Sequence, residues 1–418
     1  NTRGAALNRS TAHYLVTRKD IPQIYVFNAA TGALLDSLNM TSVSGGGGSV
    51  LQDIEVTSDG VVYASNLILN GLTENFKIYR WANDNSATVP TVAFSGLVKE
   101  SARLGDAFDV AGTGTGTVIY AGGNNSGTDS VQVFTTSDGT TFTNSGTIKI
   151  TGNDAGAGIA QITSGGDFLT SRLAANNPIR MYSGTGGGRL SFVPAAVTPS
   201  LQADIAYLEA AGRKWVASAE SAATAGKAKG ILLNTTYGLA GAVKVGSTPA
   251  LGATANSTSN GADVELQYNA SDSTMTIYIM IDNNGIAAYK TGNLLTTNLA
   301  PFAGNIIRNP YIPLGGQNDT VWADVQDDQF VPGGNVKLNY SVDGGANTIV
   351  AMALTSGDSI IGTYRAVIPG SASTDGKRIA YFVTATDNQA ATSTSPTIGY
   401  FAGITKMTLV GPRAIDTN

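Results

Sequence analysis

A strand start that recurs about every 50 residues constrains the fold of this chain more than any other feature. In each copy a glycine or an aspartate begins a short run with alternating apolar positions. The six copies read GAALN from Gly4, DIEVT from Asp53, DAFDV from Asp106, GIAQI from Gly158, DIAYL from Asp204 and DVELQ from Asp263. A fixed period of this length indicates a repeat architecture such as a solenoid or a propeller.

Each copy continues with two further β-branched and aromatic runs, bounded by Gly, Asn, Asp and Ser, with almost no helical periodicity. A sheet of three or four such strands buries both faces only when neighbours stack around an axis. We therefore predict an all-β protein in which residues 1–302 form a six-bladed β-propeller. An aromatic residue recurs in the third run and is expected to pack between adjacent sheets, as Phe27, Trp81, Phe134, Tyr182 and Tyr289.

Two stretches in the first blades carry a family resemblance. The segments DIEVTSDGVVYASN and QIYVFNAATGALLDSL resemble the strand-turn-strand units of secreted bacterial propellers related to the YVTN surface repeats. The resemblance covers about 300 residues and implies propeller architecture. It implies no activity, because propellers host binders, scaffolds and enzymes alike.

The chain after the repeats changes character. The segment IIRNPYIP, within residues 303–318, reads as a linker. Residues 319–403 alternate apolar and polar positions, which predicts a β-sandwich. The segments VWADVQDD, VKLNYSVDGG, GTYRAVIPG and IAYFVTATDNQAA resemble fibronectin-III or immunoglobulin-like modules of bacterial surface proteins. That resemblance implies a spacer or adhesive module, with its aromatic residues at the core or rim (Trp322, Tyr340, Tyr364 and Tyr381).

Residues 404–418 contain one strand-like stretch, ITKMTLV. We expect either an exposed strand that pairs with another molecule or the remainder of a processed precursor.

Composition removes several function classes. Charged residues are 13%, the net charge is −5, Cys is absent and His occurs once. This leaves no basic footprint for nucleic acid, no thiol chemistry and no multi-histidine metal cage. His13, alone in a strand, is expected to be structural or exposed. No apolar run is long enough to span a bilayer.

Low charge with abundant Gly, Thr, Ser and Asn is typical of secreted bacterial surface proteins. The start, Asn1-Thr2-Arg3-Gly4, shows no leader segment, so we expect a mature chain or fragment at an extracellular or cell-surface location.

The acidic strand starts form the candidate site. Asp53, Asp106, Asp204 and Asp263 would surround the axial channel, with Glu55 and Glu265 two residues further and hence on the same side of their strands. Converging carboxylates repel one another, so they would bind a hard cation such as Ca²⁺ or shift their pKa values. The alternative is that each Asp accepts backbone N–H bonds and holds neighbouring strands together.

The sequence favours a non-catalytic structural or adhesive protein, including one that assembles into a layer or filament. Its expected partners are other copies of itself, other surface proteins or glycans. One alternative is a Ca²⁺-dependent hydrolase or lyase acting on saccharides or lactones, with Asp and Glu doing the acid and base chemistry. The other is a soluble carbohydrate-binding receptor.

Overall fold

The chain folds into two compact units, residues 1–295 and 296–418. A computed structural model describes residues 2–98, 103–124, 129–151, 154–173, 178–186, 188–198, 201–221, 228–252, 254, 261–295, 298–311 and 313–403. Across these ranges the regular structure is almost entirely β-strand. The helices found there are two 3₁₀ turns, Gly114–Gly116 and Leu239–Gly241, and neither is long and apolar enough to cross a membrane.

The first unit contains six antiparallel sheets, one for each repeat, and each sheet is a simple meander. Blade 1 is formed by β1 (Thr2–Asn8), β2 (His13–Arg18), β3 (Gln23–Asn28) and β4 (Leu34–Ser37). Blade 2 is formed by β5 (Ser49–Val56), β6 (Val62–Leu67), β7 (Phe76–Trp81) and β8 (Thr91–Gly96). Blade 3 is formed by β9 (Ala107–Ala111), β10 (Val118–Gly122), β11 (Ser130–Thr136) and β12 (Phe142–Lys149).

The second half of the ring follows the same order. Blade 4 is formed by β13 (Gly158–Gln161), β14 (Phe168–Ser171), β15 (Arg180–Tyr182) and β16 (Arg189–Phe192). Blade 5 is formed by β17 (Leu201–Ala210), β18 (Arg213–Ser221), β19 (Lys229–Asn234) and β20 (Val243–Ser247). Blade 6 is formed by β21 (Ala262–Asn269), β22 (Thr274–Ile281) and β23 (Gly285–Lys290).

The first strand of each blade contacts the first strands of its two neighbours, and β21 contacts β1. The six blades therefore close into a ring, and the predicted six-bladed β-propeller is confirmed. Apolar side chains from adjacent sheets interleave between the blades. Trp81, Phe134 and Tyr182 are buried there as predicted, whereas Phe27 and Tyr289 are only half-buried.

The second unit is a β-sandwich. One sheet has the order β24-β25-β29-β28, with β24 (Phe302–Asn309), β25 (Asp319–Gln326), β28 (Ala353–Gly357) and β29 (Ile361–Ile368). The other has the order β27-β26-β30-β31, with β32 also paired to β30; these are β26 (Val336–Val342), β27 (Thr348–Ala351), β30 (Arg378–Thr386), β31 (Thr392–Thr394) and β32 (Ile398–Phe401). The strands of this unit are thus divided between two antiparallel sheets, as predicted for a β-sandwich.

Both sheets of the sandwich contribute to one core, which includes Tyr340, Tyr364 and Tyr381, while Trp322 is half-buried. The segment 303–318, predicted as a linker, instead contributes β24, which pairs with β25. Pro310, Pro313, Gly315 and Gly316 suggested a boundary, but they lie after β24 rather than before it. The stretch ITKMTLV lies outside the described residues.

Candidate functional site

The first strands of the blades place their carboxylates in two tiers along the axial channel. The lower tier contains Asp53, Asp204 and Asp263. The upper tier contains Glu55, Asp109 and Glu265, two residues further along the strands and therefore about 7 Å higher. Each upper carboxylate stands opposite a tyrosine of the second strand, in the pairs Glu55 with Tyr63, Asp109 with Tyr120 and Glu265 with Tyr278.

Asp106 does not belong to this ring, and its placement there was wrong. Its carboxylate accepts hydrogen bonds from Arg103 Nη2 at 2.6 Å and from the backbone N–H of Asn124 at 2.7 Å. Asp109 faces the channel instead. The sequence AFDV, rather than DAFD, is equivalent to DIEV of blade 2, and a slip of one residue moves a side chain to the other face of its strand.

The lower carboxylates bind the blade that follows their own. Asp263 Oδ2 accepts the N–H of Ala5 at 2.6 Å, and Asp204 Oδ2 accepts the N–H of Val264 at 3.1 Å. Asp53 accepts the N–H of Phe108 in the same way. These are the backbone hydrogen bonds expected as the alternative to a cation, and they join three of the six blade junctions.

The upper tier repeats the arrangement. Asp109 Oδ2 accepts the backbone N–H of Gln161 at 3.0 Å and the Gln161 side-chain Nε2 at 2.8 Å. Glu265 Oε1 accepts the N–H of Leu7 at 3.4 Å. Blade 3 is thereby joined to blade 4, and blade 6 to blade 1 by a second bond.

Hydroxyl groups serve the two junctions where the lower tier carries glycine. The single proton of Thr17 Oγ1 is shared between the carbonyl of Gly4 at 3.1 Å and, across the junction, the carbonyl of Gln52 at 3.4 Å. Ser171 Oγ donates to the carbonyl of Ala203 at 3.1 Å. The next strand comes very close here: a Cβ on Gly158 would lie 2.9 Å from the Cα of Asp204. Every blade junction thus contains a buried polar bond, supplied by a carboxylate where there is room and by a hydroxyl where there is not.

The crowded carboxyl groups hold their protons to unusually high pH. Burial raises the pKa of Asp204 to about 8 and that of Asp109 to about 6, against the opposing effect of their N–H donors. Burial and then the nearby charge of another carboxylate raise the pKa of Asp53 and of Glu55 well above their usual values. The channel is therefore partly protonated near neutral pH.

The upper tier opens into a cavity of about 150 Å³, lined by Arg9, Glu55, Asp109, Gln161, Tyr207 and Glu265 among others. Arg9 closes one side by donating to Glu265 Oε2 at 3.0 Å and to the carbonyl of Leu266 at 2.7 Å. Ligand pockets usually measure about 300 to 1,000 Å³. This cavity is therefore large enough for an ion or for part of a larger ligand.

No group of three or more Asp, Glu, His or Cys side chains within the described ranges is arranged to hold a metal ion. A Ca²⁺ ion in the channel stays a prediction.

The single histidine has a carboxylate partner that the sequence did not reveal. His13 Nδ1 lies 2.9 Å from Asp84 Oδ2, which also accepts hydrogen bonds from Asn8 Nδ2 and Thr11 Oγ1. Asp84 follows β7 of blade 2, whereas the other three belong to the β1–β2 hairpin of blade 1. The cluster forms one more polar bond between adjacent blades.

The solved structures that this chain resembles are distant from it. No family model matches the chain, and no curated protein is similar to it in sequence. Among solved structures, a nidogen/laminin complex has a chain 11% identical with a TM-score of 0.39, covering 59% of this chain and 80% of that one. The PQQ-bound aldose sugar dehydrogenase of Streptomyces coelicolor is 14% identical with a TM-score of 0.38, covering 66% and 87%.

A putative 6-phosphogluconolactonase from Bacteroides uniformis is 15% identical with a TM-score of 0.38, covering 78% of this chain and 91% of that one. Similarity this distant carries no functional argument. The class of protein is defined by the structure itself, as a six-bladed β-propeller followed by a β-sandwich.

Proposed function

We propose that this chain is a non-catalytic structural or adhesive protein of the cell surface, which associates with further copies of itself through its propeller rim. The observation that carries the proposal is the apolar character of the outer strands. Large apolar side chains are exposed on the fourth strands of four blades: Leu34 and Leu35 on β4, Val92 on β8, Leu190 and Phe192 on β16, and Val243 and Val245 on β20.

Apolar side chains in such a row are unusual for outermost strands, which proteins commonly protect with charge to prevent pairing. Leu34 is 58% exposed and Phe192 is 45% exposed. Exposed apolar patches mark interaction surfaces. Charged residues make up 13% of the chain, about half the usual share, so little charge repulsion opposes close packing of copies.

The channel chemistry supports a structural role as well. Its carboxylates accept hydrogen bonds across the blade junctions, which commits them to holding the ring together. The cavity above them is also small. These groups serve the rigidity that a repeated building block needs.

The proposal is tested by light scattering of the purified protein over a range of concentrations. The double variant Leu190→Lys/Phe192→Lys places charge on the rim and is expected to weaken self-association at least tenfold. The matched control Ser95→Lys adds a charge at an exposed polar position of β8 and should leave association unchanged. A wild-type chain that stays monomeric up to millimolar concentration refutes the proposal.

A second candidate is a hydrolase or lyase acting on saccharides or lactones. It is favoured by one observation: the cavity above the upper tier is lined by carboxyl groups with raised pKa values, and the Arg9 guanidinium lies beside them. Asp109, with a pKa of about 6, has the proton affinity of a general acid or base at neutral pH. Turnover that is lost in Asp109→Asn and Glu55→Gln but kept in Asp106→Asn would establish this activity. Equal turnover in all three variants would exclude these residues.

A further inference from the structure

Among the described residues, no strand pairs with the outer edge of blade 6. Within the described residues its sheet ends at β23, whereas each of the other five sheets has a fourth strand. The backbone N–H of Thr291 donates to the carbonyl of Met275, the residue opposite it on β22. In an antiparallel pair every second residue bonds to the partner strand in this way, so the residues between them have backbone groups that point away from it. On β23 these residues are Ile286, Ala288 and Lys290. This edge is a template for one more strand.

The complete blades show what that strand would do. In blades 1, 4 and 5 the residue directly after the fourth strand donates its N–H to an equivalent carbonyl at the start of the third strand or just before it. The pairs are Leu38 to Ile24 at 2.9 Å, Val193 to Ile179 at 2.8 Å and Thr248 to Gly230 at 2.8 Å. In blade 6 the equivalent carbonyl belongs to Ile286. Ile286 of β23 pairs with Met280 of β22, and Met280 in turn pairs with Asp263 of β21. No described residue donates to it from the outer side.

The fourth strands also fill the junction with the following blade. Leu38 is buried in the cluster that contains Tyr79 and Trp81 of blade 2, and Val193 in the cluster that contains Ile231 and Leu233 of blade 5.

At the junction between blade 6 and blade 1 there is instead a cavity of about 290 Å³. It is lined by Ile286, Ala287 and Ala288 of β23, by residues 28–32, and by the rings of Tyr14, Phe27 and Tyr278. Two of the lining rings, those of Tyr14 and Tyr278, stack on each other with their centroids 5.6 Å apart. The open cavity accounts for the half-burial of Phe27, whose ring lines it.

We propose that the segment Lys406–Val410 of a second copy of this chain occupies this edge as the fourth strand of blade 6. The segment belongs to the residues after β32 and outside the described ranges. Its sequence KMTLV matches RLSFV (Arg189–Val193), the end of blade 4, class by class: basic, apolar, hydroxyl, apolar, valine. Val410 would then donate to Ile286 and pack into the cavity as Val193 does in its junction.

This inference rests on the proposed self-association and adds a second contact to that of the rim, so that loss of either contact weakens association. Strand addition to an exposed sheet edge is a common mode of recognition, with backbone bonds supplying affinity and pockets supplying specificity. Because the donor segment and the acceptor edge are different surfaces, the contact is head-to-tail, and repetition produces an open chain of copies unless the rotation closes a ring.

The first experiment removes the donor. A chain truncated after Gly403 is expected to be monomeric at concentrations where the full chain associates, and to bind a synthetic peptide of residues 404–411. A peptide with Leu409 and Val410 replaced by Asp should bind at least tenfold more weakly. Association that is undiminished by truncation refutes this donor and leaves the proposed function standing. A full chain that is itself monomeric refutes both.

The second experiment alters the acceptor. Ala288→Pro removes an N–H that points away from β22, so the ladder within blade 6 is kept while the outer edge loses a donor. We expect peptide affinity to fall at least tenfold. Ala288→Val keeps the N–H and serves as the matched control. Circular dichroism and thermal melting confirm that both variants fold, and equal peptide affinity in the two folded variants overturns the assignment to this edge.

Discussion

Replacing Asp204 by Asn tests whether the channel carboxyl groups hold protons in the folded protein. Asp204 Oδ2 accepts the N–H of Val264 at 3.1 Å, and burial raises its pKa to about 8. The amide oxygen of Asn can accept the same N–H, so the variant keeps the junction bond. Only the ionisable proton is removed.

The direction of the effect follows from linkage. A carboxyl whose pKa is higher in the folded than in the unfolded state binds its proton more tightly when folded, so the free energy of unfolding falls as pH rises between the two values. For Asp204 this window runs from about 4 to about 8. At about 1.4 kcal/mol per pKa unit the upper limit is about 5 to 6 kcal/mol. Asp204 is half-buried, so solvent screening reduces the expected loss to about 2 to 3 kcal/mol.

Scanning calorimetry at pH 5 and pH 8.5 measures this loss. The wild-type propeller transition should move to lower temperature at pH 8.5. Asp204→Asn should melt roughly 5 °C above wild type at pH 8.5 and close to it at pH 5, since about 1 kcal/mol moves Tm by roughly 2 °C in a domain of this size.

Asp106→Asn is the control, because it removes the partner of Arg103 outside the channel and should lower Tm at both pH values. The reasoning is refuted if Asp204→Asn is less stable than wild type at pH 8.5 and the Tm of the wild type does not depend on pH.

Two further predictions concern the same ring. Gly158→Ala should destabilise the propeller by about 1 to 3 kcal/mol in thermal melts, because the added Cβ would meet backbone and side-chain atoms of Asp204 within 3 Å. Gly146→Ala on β12 is the control and should melt like wild type, because the space around it is open. If the channel binds Ca²⁺, the ion must displace carboxyl protons, so millimolar Ca²⁺ should raise Tm of chelator-treated protein at pH 8.5 and leave it unchanged at pH 5. If Ca²⁺ leaves Tm unchanged at both pH values, the channel does not bind this ion.

The sequence predicted the ring of blades because strand spacing and turn residues repeat along the chain. It could not assign each carboxylate, because register depends on which residue of a strand faces the partner sheet. In DAFDV the first aspartate matches the repeat by eye, yet it is Asp109 that stands opposite Tyr120 as Glu55 stands opposite Tyr63. The signal that could have found it is the tyrosine in the second strand, which recurs as Tyr63, Tyr120 and Tyr278.

Two other features depended on tertiary pairing. Strand β24 reads as a linker because its alternation is weak and proline follows it, and only its partner β25 makes it a strand. Blade 6 resembles the other repeats up to β23, so sequence spacing alone does not reveal that its sheet has three strands within the described residues. The half-buried Phe27 sits at a predicted aromatic position, and its exposure follows from the open cavity that its ring lines.

Electron cryomicroscopy of the native assembly tests the central claim most directly, since it shows which chain lies against the outer edge of β23. We predict particles built from linked copies, with a short extended segment from an adjoining molecule hydrogen-bonded to Ile286 and with the side chains of that segment in the cavity beside Tyr14. Isolated single molecules, or linked copies in which that edge is bare or covered by the same molecule's own chain, would contradict this prediction.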